Sequence, residues 1–304
     1  MLSGKSSAAL GASLVFAVAL WGGNNAGTKW LVQSWPPVFT GGTRFLCAGL
    51  LLLAVIRWTK WFGAFHPLGL EARRRLWWRG GLSLALYIIA FNSALLFTSA
   101  SHVALHLGAA PVWALLWEDI QQRKVRALKN YLAALLALSG VLVLLLPALK
   151  NSGGSLPGEL LGFASSLLWV NHGRQSRALM ATLGSLEITA HSMWRAGVLL
   201  LPAGFIELGV RGITFQPFQF GVQAYCILAG GVAAFALWNN ALRFWPTSQA
   251  LLFNNLIPVS TMTWAHYCLG EPFTRTFWMA MILIIAGVLL GQSDFFRQPA
   301  ATPR

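Results

Sequence analysis

Acidic residues are scarce in this sequence. Eight Asp and Glu stand against 22 Lys and Arg, and charged residues of both signs make up only 10% of the chain. A soluble globular protein carries roughly 25% charged residues, because its surface must be solvated. With 56% hydrophobic residues and a mean hydropathy of +0.61, the composition excludes a soluble domain and indicates a membrane protein. Cysteine is also scarce. Cys47, Cys226 and Cys268 all fall inside apolar stretches, where burial as free thiols is expected, and their spacing supports neither a disulfide framework nor a metal site. No HExxH segment is present, no acid pair lies at a midplane, and no motif joins the membrane Ser and His residues. An intramembrane enzyme would need one of these at depth.

What the sequence does contain is apolar runs of spanning length. Ten segments of about 20 residues can be marked: 9–31, 38–56, 77–97, 101–120, 128–149, 156–179, 186–208, 220–244, 247–269 and 273–292. The first is followed by further spans and lacks a small-residue cleavage site, so it is read as retained. The net charge of +14 would suggest nucleic acid in a soluble protein. Here the basic residues sort by loop instead. Sixteen fall on the side of the termini and the even-numbered loops, four (Lys29, Lys150, Arg211 and Arg275) on the other, and two (Arg44 and Arg195) inside spans. Positive residues stay cytoplasmic. The expectation is an inner (plasma) membrane protein with both termini cytoplasmic and no nucleic-acid partner.

The chain also repeats itself. FNSALLFTSASHVA (91–104) and WNNALRFWPTSQAL (238–251) share Asn92/Asn239, Ala94/Ala241, Leu95/Leu242, Phe97/Phe244 and Ser101/Ser248 at an offset of 147. The same offset relates Pro111-Val112 to Pro258-Val259, Trp117 to Trp264, and Gly140-Val141-Leu142 to Gly287-Val288-Leu289. An offset of 148 relates Trp21 to Trp169, Lys29 to Arg177, and Ala48-Gly49 to Ala196-Gly197. Coincidence among apolar helices would not hold one register over five spans. The halves are 1–150 and 151–304, joined at Asn-Ser-Gly-Gly-Ser (151–155), a flexible linker by composition. Five spans per half is odd, so the second half enters the membrane from the opposite face. The expected fold is all-α, with ten transmembrane helices in two inverted five-helix repeats. That architecture belongs to secondary transporters, whose substrate sites lie near the midplane between repeats.

The run ALWGGNNAGTKWL followed by PPVFTGGTRFLCAGLLLL, with Trp21-Gly22, Lys29, Pro36-Pro37 and Arg44-Phe45, resembles the drug/metabolite transporter superfamily, in particular its EamA-type members. FTSASHVAL in span 4, Pro111-Val112 and Leu269-Gly270-Glu271 are similar to that family too. The resemblance covers nearly the whole chain. It implies a ten-helix transporter, often an exporter of amino acids or other small metabolites. One departure is visible: the first-half counterpart of Gly270-Glu271 is Arg123-Lys124.

Polar groups at lipid depth are costly and face a cavity or another helix. Asn24 and Asn25 in span 1, Tyr87 and Asn92 in span 3, Asn171 and His172 in span 6, Asn239 and Asn240 in span 8, and Asn254 in span 9 fit a cavity whose amides hold the carboxylate and amine of a zwitterion. Interhelical hydrogen bonding is the alternative for any one of them. The deep aromatics Trp21, Trp169, Trp238 and Phe91 form repeat pairs, as in a pseudo-symmetric aromatic wall. Lys29 and Arg44 could attract an anionic group, pair with a span-end acid or snorkel. His102 and His106 share a helix face, and with His172 they are candidates for proton coupling. No third ligand accompanies them, so no metal is expected, and no cofactor. All eight acids (Glu71, Glu118, Asp119, Glu159, Glu187, Glu207, Glu271 and Asp294) sit at or near span ends. A pump that trades protons for cations on a mid-membrane Glu is therefore not expected. The sequence reads as a carrier, most readily of amino acids outward, by alternating access. A drug or quaternary-cation exporter of the same fold is the alternative, and an intramembrane enzyme a more distant one. Gly49 and its repeat mate Gly197 are expected to allow close packing of helices within the chain.

Overall fold

The computed structural model describes residues 7–59, 68–122, 128–150, 156–180, 183–242, 244 and 253–292. Among them are eleven long helices and no strand: α1 (Ser7–Val32), α2 (Pro37–Trp58), α3 (Leu70–Phe97), α4 (Ala100–Gly108), α5 (Ala110–Gln122), α6 (Leu128–Lys150), α7 (Leu156–Arg177), α8 (Ser185–Arg211), α9 (Pro217–Ala241), α10 (Ile257–Leu269) and α11 (Arg275–Gln292). Helices α4 and α5 are two halves of one span, so the expected ten spans are present. Five of the helices are each long and apolar enough to cross a bilayer unaided: Ala9–Val32, Pro37–Trp58, Leu70–Phe97, Ser185–Arg211 and Pro217–Ala241. Large apolar side chains such as Phe16, Leu50, Leu135, Ile206 and Ile282 point out of the bundle, as a lipid-facing surface requires.

Proline sets several boundaries. Pro37 opens α2 and Pro217 opens α9, where a missing N–H costs nothing. Pro111 and its repeat mate Pro258 act differently. Proline cannot donate to the carbonyl four residues back and clashes with it. Span 4 accordingly breaks at Ala109, just ahead of Pro111, and span 9 turns at Asn255-Leu256, just ahead of Pro258. The two breaks are close: a Cβ on Gly108 would sit 3.1 Å from Pro258 Cγ.

The repeat is visible in the packing. α2 crosses α8 at Gly49 and Gly197. A Cβ on Gly49 would fall 2.4 Å from the Trp194 backbone N, and one on Gly197 2.5 Å from the Leu46 backbone N. Each glycine makes room for the other repeat's main chain, which fulfils the expectation drawn from the sequence. α6 and α11 meet in the same way at Gly140 and Gly287. The π-helical stretches Leu76–Leu82 in α3 and Cys226–Ala233 in α9 each carry a Gly-Gly pair. Gly81 lies on Arg195 and Ala196 of α8, and Gly231 lies on Ala48 of α2, the repeat mate of Ala196. A pseudo-twofold axis therefore relates the halves, and the molecule is two inverted five-helix repeats.

One expectation about burial needs correction. All three cysteines are free, but only Cys226 is buried; Cys47 and Cys268 are exposed on the outside of the bundle. In a bilayer the outer face is itself apolar, so hydrophobicity does not dictate an inward direction. Glu159 lies near a span end as expected, as the fourth residue of α7, and it is 1% exposed.

Candidate functional site

The polar and aromatic residues singled out in the sequence fall into distinct groups. Trp21 packs on Phe235 (5.1 Å between ring centroids) and on Trp238 (5.3 Å), and its Nε1 donates to the Gly230 carbonyl at 3.2 Å. Asn24 rests on Gly230. Across the pseudo-twofold axis, Trp169 packs on Tyr87 (4.9 Å) and on His172 (5.6 Å), and Tyr87 stacks on Phe91 (5.5 Å). Each of the two aromatic clusters thus draws on both repeats, one built from span 1 with span 8 and the other from span 6 with span 3. His172 Nδ1 lies 2.9 Å from Ser83 Oγ.

The asparagines mostly tie helices together. Asn92 Nδ2 donates to the Pro37 carbonyl at 2.8 Å, and Asn239 Oδ1 accepts from Ser185 Oγ at 2.7 Å. Pro37 and Ser185 are the first residues of α2 and α8 and are themselves repeat mates. Each Asn therefore pins the start of the helix that crosses the other repeat. Asn25 Nδ2 donates to Thr261 Oγ1 at 3.0 Å, joining span 1 to span 9. Asn92 Oδ1 and Asn254 Oδ1 are buried without a hydrogen-bond partner. Ser248 and Gln249 lie outside the described residues.

Two buried arginines stand out. Arg44 on α2 is 3% exposed and Arg195 on α8 is 3% exposed. Arg44 donates to Thr28 Oγ1 and lies 4.7 Å over the ring of Phe45, with Tyr87 and Cys226 close by. Arg195 is held by His191 and stacks over Trp194 at 4.2 Å and Trp77 at 5.5 Å. Among the described residues neither forms an ion pair with a carboxylate; the pairs present are Arg75–Glu71, Arg211–Glu207 and the two His–Glu159 contacts.

A buried polar cluster surrounds Glu159. Oε1 lies 2.6 Å from His102 Nδ1, Oε2 lies 2.8 Å from His106 Nε2, and Thr98 Oγ1 donates to Oε1. His106 is fully buried, and its ring lies where a side chain at Gly162 would be, 2.7 Å from the added Cβ. Sequence reasoning found the two histidines and missed their acid. The available signal was the spacing of Glu159 and Gly162, which sets an acid and a gap on one face of α7. Nearby, Glu271 accepts from the backbone N–H groups of Ala100 (2.8 Å) and Ser101 (3.3 Å) and from Ser101 Oγ, capping α4. Lys29 Nζ donates to the Leu95 carbonyl at 2.8 Å, in the last turn of α3. An acid at a helix N-terminus and a base at a C-terminus both oppose the helix dipole. His172 lies thirteen residues beyond Glu159 on α7, about 20 Å along the axis, and does not join this cluster. Among the described residues no group of His, Cys, Asp and Glu has the geometry to hold a metal ion.

Comparison with known proteins agrees with this architecture. The chain is 26% identical over 302 residues to the uncharacterized inner membrane transporter YedA of Escherichia coli K12, covering 93% of this chain and 92% of that protein. It is 24% identical over 281 residues to an uncharacterized transporter of Archaeoglobus fulgidus, with 91% and 95% covered. A solved crystal structure superposes with a TM-score of 0.63 at 17% identity, over 96% of this chain and all of that one. The model of the EamA-like transporter family matches twice, at residues 9–146 and 156–291. Two copies of one five-helix unit, packed as inverted repeats, make this chain a member of the EamA-like transporter family.

Proposed function

We propose that the protein exports amino acids across the inner membrane by alternating access, from a cavity between the repeats lined by the two aromatic clusters. Its termini are cytoplasmic in this reading, which places the α3–α4 turn and Glu271 on the outer side. The single observation that carries the substrate class is Arg44. A guanidinium is costly at this depth unless it is paired. Its partners are the Thr28 hydroxyl, the Cys226 thiol and the Phe45 ring face, so among the described residues no carboxylate neutralises its positive charge. A carboxylate from the substrate would neutralise it. The adjacent Tyr87, Phe91 and Trp169 offer apolar area for a side chain, and Asn24 and Asn25 offer amides for the ammonium group. Alternating access is supported by crossings such as Gly49 with Gly197, which are built alike in both repeats and so permit the halves to exchange conformations.

A second reading draws on a specific observation. Trp21, Phe235 and Trp238 form an aromatic corner suited to a quaternary ammonium. Counterflow in proteoliposomes separates the two. Liposomes are loaded with unlabelled threonine, methionine, phenylalanine or tryptophan, and uptake of the labelled compound is followed against tryptamine and tetraethylammonium. Exchange of an amino acid but not of its decarboxylated amine, reduced at least about tenfold in Arg44→Gln, is the expected result; tenfold corresponds to about 1.4 kcal/mol of lost recognition. Exchange of the cations alone would replace this reading by the second.

A further inference from the structure

We propose that Glu159, His102 and His106 form one proton-binding unit that couples proton movement to the separation of α4 from α7. The inference rests on the transporter reading for its purpose, but not for its geometry.

The three residues are not equivalent. Nδ1 of His106 is buried with no hydrogen-bond partner. An imidazolium there would bury an unsatisfied N–H, so His106 is neutral and donates from Nε2 to Glu159. His102 differs. Its side chain is 24% exposed, and its Nδ1 faces Glu159 Oε1 at 2.6 Å. His102 can therefore exchange a proton at its exposed edge while Glu159 acts as counter-ion. With His102 protonated the unit is a neutral ion pair. With His102 deprotonated, Glu159 is a buried carboxylate held only by neutral donors.

The surroundings leave this charge to the unit itself. From the α10–α11 connection comes Glu271, engaged by Ala100 and Ser101, and from α10 comes His266, whose Nδ1 lies 2.9 Å from the Glu271 carbonyl. From α1 comes Lys29, engaged by the Leu95 carbonyl. From α7 itself the near polar groups are the hydroxyls of Ser165 and Ser166. Between α4–α5 and α11 the described packing is apolar, with Leu105, Phe277, Ala280 and Ile284. Among the described residues no cation other than His102 stands ready to neutralise Glu159.

The direction of coupling follows. A protonated His102 adds an attraction that holds α4 against α7, so this contact is stabilised at low pH. As pH rises and the unit gives up its proton, that contribution is lost. The uncompensated carboxylate then favours entry of water and opening of this end. Each cycle of opening and closing would release one proton from His102 and take one up again.

Hydrogen exchange of the full chain in lipid nanodiscs tests this without any substrate. Exchange of the Ala100–Gly108 amides, corrected for the chemical rate, is followed from pH 5.5 to 8 in wild type, Glu159→Gln and His102→Gln. Wild type should lose protection by about tenfold or more across the range. Glu159→Gln, which has no charge to compensate, should stay protected at all pH. His102→Gln, which leaves Glu159 permanently without its cation, should stay exposed at all pH. Opposite plateaus are the signature; a merely structural cluster would lose protection in both variants. A pH-independent wild type, or both variants shifting the same way, overturns the proposal. Because the readout needs no transported compound, it stands or falls separately from the amino-acid reading. In the same lipid, wild-type counterflow at equal pH with no response to an imposed pH gradient would likewise overturn coupling, while leaving the carrier intact.

Discussion

The Glu159 cluster and the place related to it by the pseudo-twofold axis are built from opposite materials. At an offset of 147, His102 corresponds to Gln249 and His106 to Phe253; at 148, Glu159 corresponds to Gly11 and Gly162 to Leu14. Where His106 fills the gap at Gly162, the other end packs fully buried Leu14 with Ala241, Trp238, Leu242 and Phe253. One end of the repeat interface is a titratable unit and the other is a hydrophobic contact. The inherited backbone is shared, and the described side chains on it differ.

The largest test of this contrast is to remove the acid. Glu159→Ala leaves two imidazoles without their acceptor, one of them fully buried. Breaking a buried pair from one side costs about 3–5 kcal/mol, so a clear fall in the thermal unfolding midpoint of purified protein is expected. The deficit should be greatest at pH 5.5 and should shrink toward pH 8 as the proposed unit gives up its proton. The triple variant Glu159→Ala/His102→Gln/His106→Phe, which copies the apolar end, should recover most of the loss at both pH values. A triple variant no better than the single one would mean that the cluster is not interchangeable with packing.

Leu14→Ala probes the other end. It removes buried apolar volume and should cost about 2–4 kcal/mol. Its deficit should be the same at pH 5.5 and pH 8, because no ionisable group takes part. A pH-dependent Leu14→Ala would erase the distinction between the ends. Gly162→Leu should cost somewhat less, about 1–3 kcal/mol by overpacking. The new side chain meets the far end of an imidazole, which can swing aside at the expense of its hydrogen bond to Glu159. Loss of the pH response should accompany that variant.

Much of the fold was legible because bilayer physics is coarse. Span length and span parity need no knowledge of packing, and they are enough to give ten helices in two five-helix repeats. Gly49 and Gly197 were legible too, since repeat-matched glycines have few other uses. The site was less so. Asn92 and Asn239 suggested a cavity, yet they bind Pro37 and Ser185, and only the three-dimensional offset between spans 3 and 2, and between 8 and 7, decides which partner an amide reaches. Glu159 was grouped with interfacial acids because position along a span says nothing about what leans over it. The proline breaks lay in plain view at Pro111 and Pro258 as repeat marks, but a kink within one apolar run leaves no trace in hydropathy.

The smallest expected effect concerns Glu271. Its carboxylate caps α4 through Ala100 and Ser101, while its repeat counterpart is Lys124. Glu271→Gln keeps a hydrogen-bond acceptor and removes the charge, so only the interaction with the helix dipole is lost, about 0.3–1 kcal/mol. Ser99, whose side chain accepts from the His102 N–H at 3.1 Å, continues to cap the same helix. The unfolding midpoint should therefore move little. Exchange of the first amides of α4 should rise a few-fold at every pH, in parallel with wild type and without flattening its pH response. A flattened response would mean that Glu271, and not Glu159 alone, sets the charge balance at this end. The titratable unit would then extend across to the second repeat, and the contrast between the two ends would have to be redrawn around both acids.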